Sequence, residues 1–416
     1  MNREPEVLVI GAGVIGVAAA HALAERGRRV SVIDTGEVGR GGSYGNAGLT
    51  VPSHAVPLAN PGALRNGLKW LLDPESPFYV QPRFDPALWS WLWRFRAASN
   101  EPQVARGLPV LRDLLLAGRE LFDTLTALPE MQCGYAQDGT LWVYRTRAGL
   151  AEAEEEAELL EEAGLRVERL DEAGVRAMAE SVRPGVAGGI WFSQDGHMDP
   201  FLFVERLRER AESLGVEFAE KTGCLGFDVA GGRIGRVLTT KGDFDPQMVV
   251  LAAGSWSPSV ARELGLRLPV QPGKGYSLTF ARPASCPPLP VVCGEARVVA
   301  TPLGGHLRLA GTLEMVGMDE SINRRRVGAI HRAANRYLAG LEDMELVETW
   351  RGLRPCTPDG LPLLGRSAKW ENLIVATGHA MLGLSLAPVT GEIVARLADD
   401  EETGFDLAGL RPERFG

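Results

Sequence analysis

The chain has 416 residues, 45% of them hydrophobic and 23% charged, which is enough length and apolar content for a large core and two domains. Against 53 Asp and Glu stand 44 Lys and Arg, a formal net charge of −9, so no general electrostatic pull toward nucleic acid is expected. The five cysteines, Cys133, Cys224, Cys286, Cys293 and Cys356, form no CxxC pair and no cluster with histidine at ligand spacing. Neither a zinc site nor a disulfide framework is expected, and a reducing, cytoplasmic setting fits.

Val7 to Ala24 is about as long as a membrane span. Its glycines stand at turn positions, however, and only Asn2 to Glu6, with one Arg, precede it. A soluble protein is therefore expected, with peripheral contact at the inner face of a membrane left open. Val7 to Ile10 reads as a short apolar strand, Val14 to Arg26 as a helix ending at Gly27, and Val30 to Ile33 as a second strand. A strand, helix, strand unit of this size opens a parallel, doubly wound sheet, so the fold class is α/β.

From Val51 to Asn100 the text turns Pro-rich and Trp-rich without a sustained period, as in an excursion from the first domain. The tryptophans Trp89, Trp91 and Trp93 read as core or domain-interface residues. Arg106 to Leu128 is predicted helical, Gly139 to Tyr144 extended, and Ala151 to Ala163 a helix with a solvated Glu face. A helix over Phe201 to Leu214 and strands near Glu217 and Ile234 follow. Met248 to Ala253 then forms a buried parallel strand that ends at Gly254. Leu268 to Gly311 is strand-like, Asn323 to Leu341 a basic helix, and Leu373 to Ala376 a strand entering a glycine turn before a closing helix near Thr390 to Leu397.

Gly11, Gly13 and Gly16 form GxGxxG directly after the first strand, and Asp34 ends the second. The first glycine permits a tight turn and the second lets backbone approach a pyrophosphate. The third lets helix pack on sheet, and the helix N-terminus favours phosphate charge. Asp34 would accept hydrogen bonds from a ribose. This unit alone does not separate NAD from FAD. The loop Gly41 to Gly48, GGSYGNAG, offers amides and the Ser43 and Asn46 side chains to an extended cofactor, and is also what an ordinary surface turn uses. Ala376 to Leu384, ATGHAMLGL, would aim a helix N-terminus at the negative charge of a reduced flavin. His379 within it either contacts the cofactor or satisfies a buried turn.

At these residues the chain resembles the amino-acid-oxidising flavoproteins, the family of D-amino-acid dehydrogenase, D-amino-acid oxidase, glycine oxidase and sarcosine oxidase, with the dehydrogenases nearest. The likeness rests on VIGAGVIGVAAAHAL with VSVID, on SYGNAGL, on VQPGKGYSLTF, and on WRGLRPCTPDGLPLLG followed by ATGHAMLGLSLAPVTG. It implies an FAD-binding Rossmann-like domain of the glutathione-reductase type, assembled from 1–55, 195–268 and 350–416. An interleaved α+β substrate domain would comprise 56–194 and 269–349.

The resemblance makes Gly11, Ala12, Gly13, Ile15, Gly16, Asp34, Ser43, Asn46, Gly48 and Leu49 cofactor contacts. Cys224 is implied beside adenine, Gly254 at the end of its strand, and Gly378, His379, Met381, Leu382 and Gly383 beside the isoalloxazine ring. Arg354 would grip a substrate carboxylate through its guanidinium fork, with Tyr276 as second donor and Lys274 as a weaker one. Sarcosine oxidases tether flavin through a cysteine near this segment and none stands there, so non-covalent FAD is implied. Glycine oxidase has an arginine where Met381 stands. DGHMDP, Asp195 to Pro200, is nearer to glycine oxidase, and His197 and Asp199 receive no role.

The implied activity is hydride transfer from the Cα of a D-amino acid to flavin, giving an imino acid, with electrons passing to oxygen, a quinone or a protein acceptor. Dehydrogenation of proline or hydroxyproline, or a glycine and sarcosine type of oxidation, remains an alternative. A flavin-carrying subunit that acts only with a partner is the reading from another class.

Overall fold

The computed structural model describes residues 4–70 and 76–416. Residues 1–3, at the head of the short segment before the first strand, and 71–75, within the Pro-rich and Trp-rich stretch, lie outside the described residues. Among the described residues the strands gather into two large sheets and two small ribbons.

The first sheet starts from β1, Val7–Ile10, in which every residue is buried. Val7 and Val9 belong to the core on one face, Leu8 and Ile10 to the core on the other. That is why the run is uniformly apolar instead of alternating. After the glycine turn comes helix α1, Val14–Glu25, and then β2, Val30–Ile33, parallel to β1 with Val7 opposite Val30. The spatial order is Leu363–Arg366, Leu373–Thr377, Met248–Leu251, β1, β2, Glu217–Ala219, and only Leu363–Arg366 runs antiparallel to its neighbour. The closing helix, Gly383–Ala398, crosses α1 so closely that a Cβ on Gly391 would stand 2.5 Å from the Ala18 carbonyl oxygen. The hairpin Cys224–Ala230 with Arg233–Thr239 and the helix Ser257–Glu263 cover the opposite face.

Among the described residues the second sheet has nine strands. Gln271–Ala281 pairs with Leu346–Cys356 on one side and His306–Met315 on the other, both antiparallel. Tyr276, Leu278 and Phe280 project into a core with Ile330, Ala334 and Tyr337 of the helix Arg324–Tyr337. The alternate residues, Gly273, Gly275 and Ser277, share the other face with Arg354, Gly352 and Trp350 directly opposite. That face meets the glycine-rich loop, since a Cβ on Gly45 would overlap the Trp350 ring, 2.2 Å away.

Leu346–Cys356 stays in this second sheet to its last residue. The expected return to the first domain at residue 350 therefore falls inside a strand of the other sheet, and the chain rejoins the first sheet with Leu363–Arg366. The Trp-rich stretch holds a helix that the absence of period concealed, Pro86–Ala98, capped by Asp85, which accepts from the Leu88 amide. Trp91 is buried with its indole donating to the Cys356 carbonyl at 2.9 Å, whereas Trp89 and Trp93 are 58% and 70% exposed.

Candidate active site

The turn after β1 needs its glycines for separate reasons. Gly11 has φ +111, and a Cβ there would lie 2.5 Å from the Ala252 carbonyl oxygen; a Cβ on Gly16 would lie 1.8 Å from the Gly11 oxygen. Only glycine combines that backbone with that approach. Helix geometry leaves the first amides of α1 without intrahelical acceptors. The Val14 amide donates to Ser43 Oγ at 3.0 Å, which staples the glycine-rich loop to the helix start. Asp34 accepts from the Ala12 amide through Oδ2 and from the Gly36 amide through Oδ1, both at 2.7 Å, and each oxygen keeps lone-pair capacity for a further donor.

These groups open onto a cavity of about 2140 Å³ that also reaches the second sheet. Gly11, Gly13, Ile15 and Asp34 line it from the β1 to β2 turn, and Ser43, Asn46 and Leu49 from the loop beyond. Cys224, Gly254, His379, Met381, Leu382 and Gly383 complete that side. Ala12, Gly16, Gly48 and Gly378 are not in the wall; they shape the turns behind it. Gly48 has φ +78, and a Cβ would stand 2.3 Å from the Met198 oxygen. Gly378 has φ +77, and a Cβ would stand 2.6 Å from Thr357 Cγ2.

The space and its donors fit FAD on three counts. A long cavity begins at a glycine cradle and a helix N-terminus. A carboxylate with spare lone pairs stands beside it. A second helix N-terminus, at Gly383, enters the same cavity.

Arg354 lines the cavity from the second sheet. Its Nη1 donates to the Thr312 carbonyl at 2.9 Å, and Thr312 is held at φ +66. Gly275 makes the space for it, because a Cβ there would stand 1.9 Å from Arg354 Nη1. Burial pushes the guanidinium below the ordinary arginine value. Among the described residues no carboxylate pairs with it, so a desolvated cation faces the cavity with donors to spare.

Tyr276 also borders the cavity, but its side chain does not turn toward Arg354. Opposite Tyr276 stands Arg351, and Arg354 lies opposite Gly273, so strand alternation puts the Tyr276 and Arg354 side chains on opposite faces. The Tyr276 hydroxyl donates to Glu314 Oε2 at 2.9 Å and accepts from the Asn323 amide. The expected role as second carboxylate donor is thereby corrected. Lys274 shares that face and is committed as well, with Nζ 2.8 Å from Asp319 and 3.7 Å from Glu314, which also pairs with Arg326.

His379 contributes Nε2 to a 3.1 Å bond with Thr390 Oγ1, and burial pushes its pKa down to about 3, so the ring stays neutral. Asp199 caps the helix Pro200–Ser213 by accepting from the Phe201 and Leu202 amides. His197 is a buried partner of Leu49 in a two-stranded ribbon. Sequence reasoning missed Arg308, which is 6% exposed and donates to the Asn46 carbonyl at 2.9 Å and to Thr279 Oγ1 at 3.1 Å. An Arg in the apolar strand text HLRLAG was the available signal. It also missed Trp350, Thr312 and the space above Gly275, which become visible only through pairing.

A parallel sheet with a glycine turn at a helix start, roofed by a second sheet that presents the Arg354 guanidinium to the same cavity, defines a dinucleotide-dependent enzyme of two interleaved units. Residues 6–397 match the DAO family of FAD-dependent oxidoreductases, and the chain belongs to that family. Relatives include the D-amino acid dehydrogenase of Paramagnetospirillum magneticum, 37% identical over 99% of each chain, and that of Agrobacterium fabrum, 33% identical over 98% of this chain and 99% of the relative. Among solved structures, glycine oxidase from Geobacillus kaustophilus superposes with TM-score 0.82 at 24% identity over 99% of both chains. L-proline dehydrogenase from P. horikoshii superposes with TM-score 0.79 at 20% identity over 100% of this chain and 98% of the other. Among the described residues no helix is long and apolar enough to cross a membrane, and no cluster of His, Cys, Asp and Glu has metal-site geometry.

Proposed function

We propose that this protein oxidises the amino-bearing carbon of a D-amino acid, releasing an imino acid that hydrolyses to a 2-oxo acid. The observation that carries the reading is the unpaired Arg354 guanidinium, seated over Gly275 and held by the Thr312 carbonyl, in the same cavity as the glycine cradle. FAD, when bound, would supply a two-electron acceptor for the hydride of Cα, with oxygen, a quinone or a protein as the final acceptor.

Arg354 fixes the carboxylate by two parallel charge-assisted bonds, which orients Cα as well as binding it. Asp34, the Gly13 and Ile15 backbone and Ser43 hold the adenosine diphosphate end, and the helix N-terminus at Gly383 faces the ring end. Positioning supplies most of the catalysis, because an amine that arrives neutral needs no base at carbon. The preference for the D-isomer rests on the relatives named above.

FAD is held without a covalent bond in this reading. Of the five free cysteines only Cys224 lines the cavity, and it follows Thr222, whose amide donates to the Asp34 carbonyl, at the end remote from the proposed ring site. Unpaired thiols also support a cytoplasmic setting.

The test is anaerobic mixing of the yellow holoenzyme with D- and L-amino acids, glycine, sarcosine and both prolines. Bleaching of the flavin by D-amino acids without any partner is the expected result. Bleaching confined to glycine, sarcosine or proline transfers the reading to those substrates, and no bleaching by any of them overturns it. Acid precipitation should release all of the flavin into the supernatant; colour retained on the protein overturns the non-covalent assignment.

A further inference from the structure

Beyond Arg354 the cavity continues along the strands Thr140–Tyr144 and Val291–Cys293, where Trp142, Tyr144, His54, Glu156 and Arg297 face it. Arg297 is tied to the Arg354 site through one strand. Its carbonyl packs on Gly311, where a Cβ would be 3.3 Å from it, and the next residue, Thr312, is the one that holds Arg354. The Arg297 guanidinium stands 5.6 Å above the Trp142 ring. Among the described residues it makes no ion pair and no side-chain hydrogen bond. The ring of His54 lies 5.5 Å from the same indole.

His54 is oriented from behind. Its Nδ1 is 3.2 Å from Ser53 Oγ, and Ser53 Oγ gives its single proton to Asp195 Oδ2 at 2.6 Å. Asp195 also accepts from the Ser53 amide at 3.0 Å and from Thr140 Oγ1, so the acceptor behind Ser53 is fixed in place. Ser53 Oγ then has only lone pairs to offer His54, and Nδ1 must be the protonated nitrogen. The unprotonated Nε2 is left as an acceptor for the cavity. Burial and the nearby Arg297 push the His54 pKa down to about 4, which keeps that lone pair free at neutral pH.

We propose that this end of the cavity reads the substrate's side chain through a donor and an acceptor, the Arg297 guanidinium and His54 Nε2. It thereby selects amino acids whose side chain ends in a neutral group that both donates and accepts, a hydroxyl or a carboxamide. The inference rests on the reading that Arg354 holds the α-carboxylate. An apolar side chain would leave both groups without a partner, the situation in which sites built to hydrogen-bond discriminate most strongly. A carboxylate would satisfy Arg297 but meet the His54 lone pair, and an ammonium would meet Arg297. Ser53 and Asp195 are positioning residues that set the tautomer.

Near-isosteric pairs test this. Flavin reduction is measured for D-threonine against D-valine and for D-asparagine against D-leucine, and the polar member of each pair should be favoured at least tenfold in kcat/KM. In Arg297→Met and in His54→Phe the ratio should fall toward one through loss on the polar member, with flavin content checked by absorbance. Arg297→Lys should keep part of the preference, since it restores a donor. Ser53→Ala, which frees Nδ1 from its partner, should lower the ratio by a smaller factor. Equal use of both members by the unaltered enzyme, or an unchanged ratio in both Arg297→Met and His54→Phe, overturns the assignment while leaving the reading of Arg354 intact. A flavin that no amino acid bleaches overturns both.

Discussion

The two walls of the cavity are made differently. On the first sheet the cavity-facing groups are mostly backbone, placed by a turn only a few residues long, and Asp34 and Ser43 lock that turn by taking the Ala12 and Val14 amides. On the second sheet the group that carries the proposed function is a side chain, Arg354. Its position depends on a gap above Gly275 on the neighbouring strand and on the Thr312 carbonyl one strand further on. The first wall is local in sequence and needs glycine; the second is assembled from three strands and needs register.

The sharpest way to break the comparison is Arg354→Leu. Removing two charge-assisted bonds of about 1.5–3 kcal/mol each should lower kcat/KM by roughly 10²–10⁴, chiefly through KM. Flavin content should stay full, and unchanged kinetics would remove Arg354 from the site. Gly11→Val should do the reverse. With φ +111 and the Ala252 oxygen 2.5 Å from any Cβ, the purified variant should lose most of its flavin, read as the ratio of 450 nm to 280 nm absorbance.

Gly275→Ala tests whether the second wall truly depends on a neighbour. The added methyl displaces the guanidinium, and kcat/KM should fall by about 10–100-fold with flavin retained. Acid should weaken the whole molecule through His54 and His379, whose desolvation disfavours the charged ring. His54 and His379 are pushed from 6.5 down to about 4 and about 3. The stability they contribute is full above pH 6.5 and lost as pH falls through that range. Asp195 works in the opposite sense. Burial raises it from 3.8 to about 6, so its contribution is full below about pH 4 and lost as pH rises through 6. Two histidines with larger displacements outweigh one aspartate, so the melting temperature should drop between pH 6.5 and 4, and Asp195→Asn should steepen that drop.

The smallest effect is expected for Tyr276→Phe. Because the hydroxyl serves Glu314 behind the sheet, KM should change less than about threefold, while stability falls by about 1–3 kcal/mol from an under-satisfied buried carboxylate. A large KM effect without a stability effect would reinstate Tyr276 as a substrate contact.

Much of the first wall was legible because its information is short-range. GxGxxG after an apolar run and Asp34 at the end of the next each state a local backbone requirement. The Pro86–Ala98 helix was missed because its tryptophans point both into the core and out of it, which erases the period. Arg354 was reached through motif resemblance, and nothing local distinguishes it from Arg351, three residues earlier and on the other face of the strand.

What the amino-acid string determined alone is the kind of element at each place and the glycines that certain turns demand. Tertiary structure decided which face each strand residue presents, and with it that Tyr276 and Lys274 turn to Glu314 while Arg354 turns to the cavity. It also brought Ser53 and Asp195 together from 142 residues apart. The reason is physical: side-chain direction in a sheet alternates with every residue, so a role depends on strand pairing that no single segment encodes.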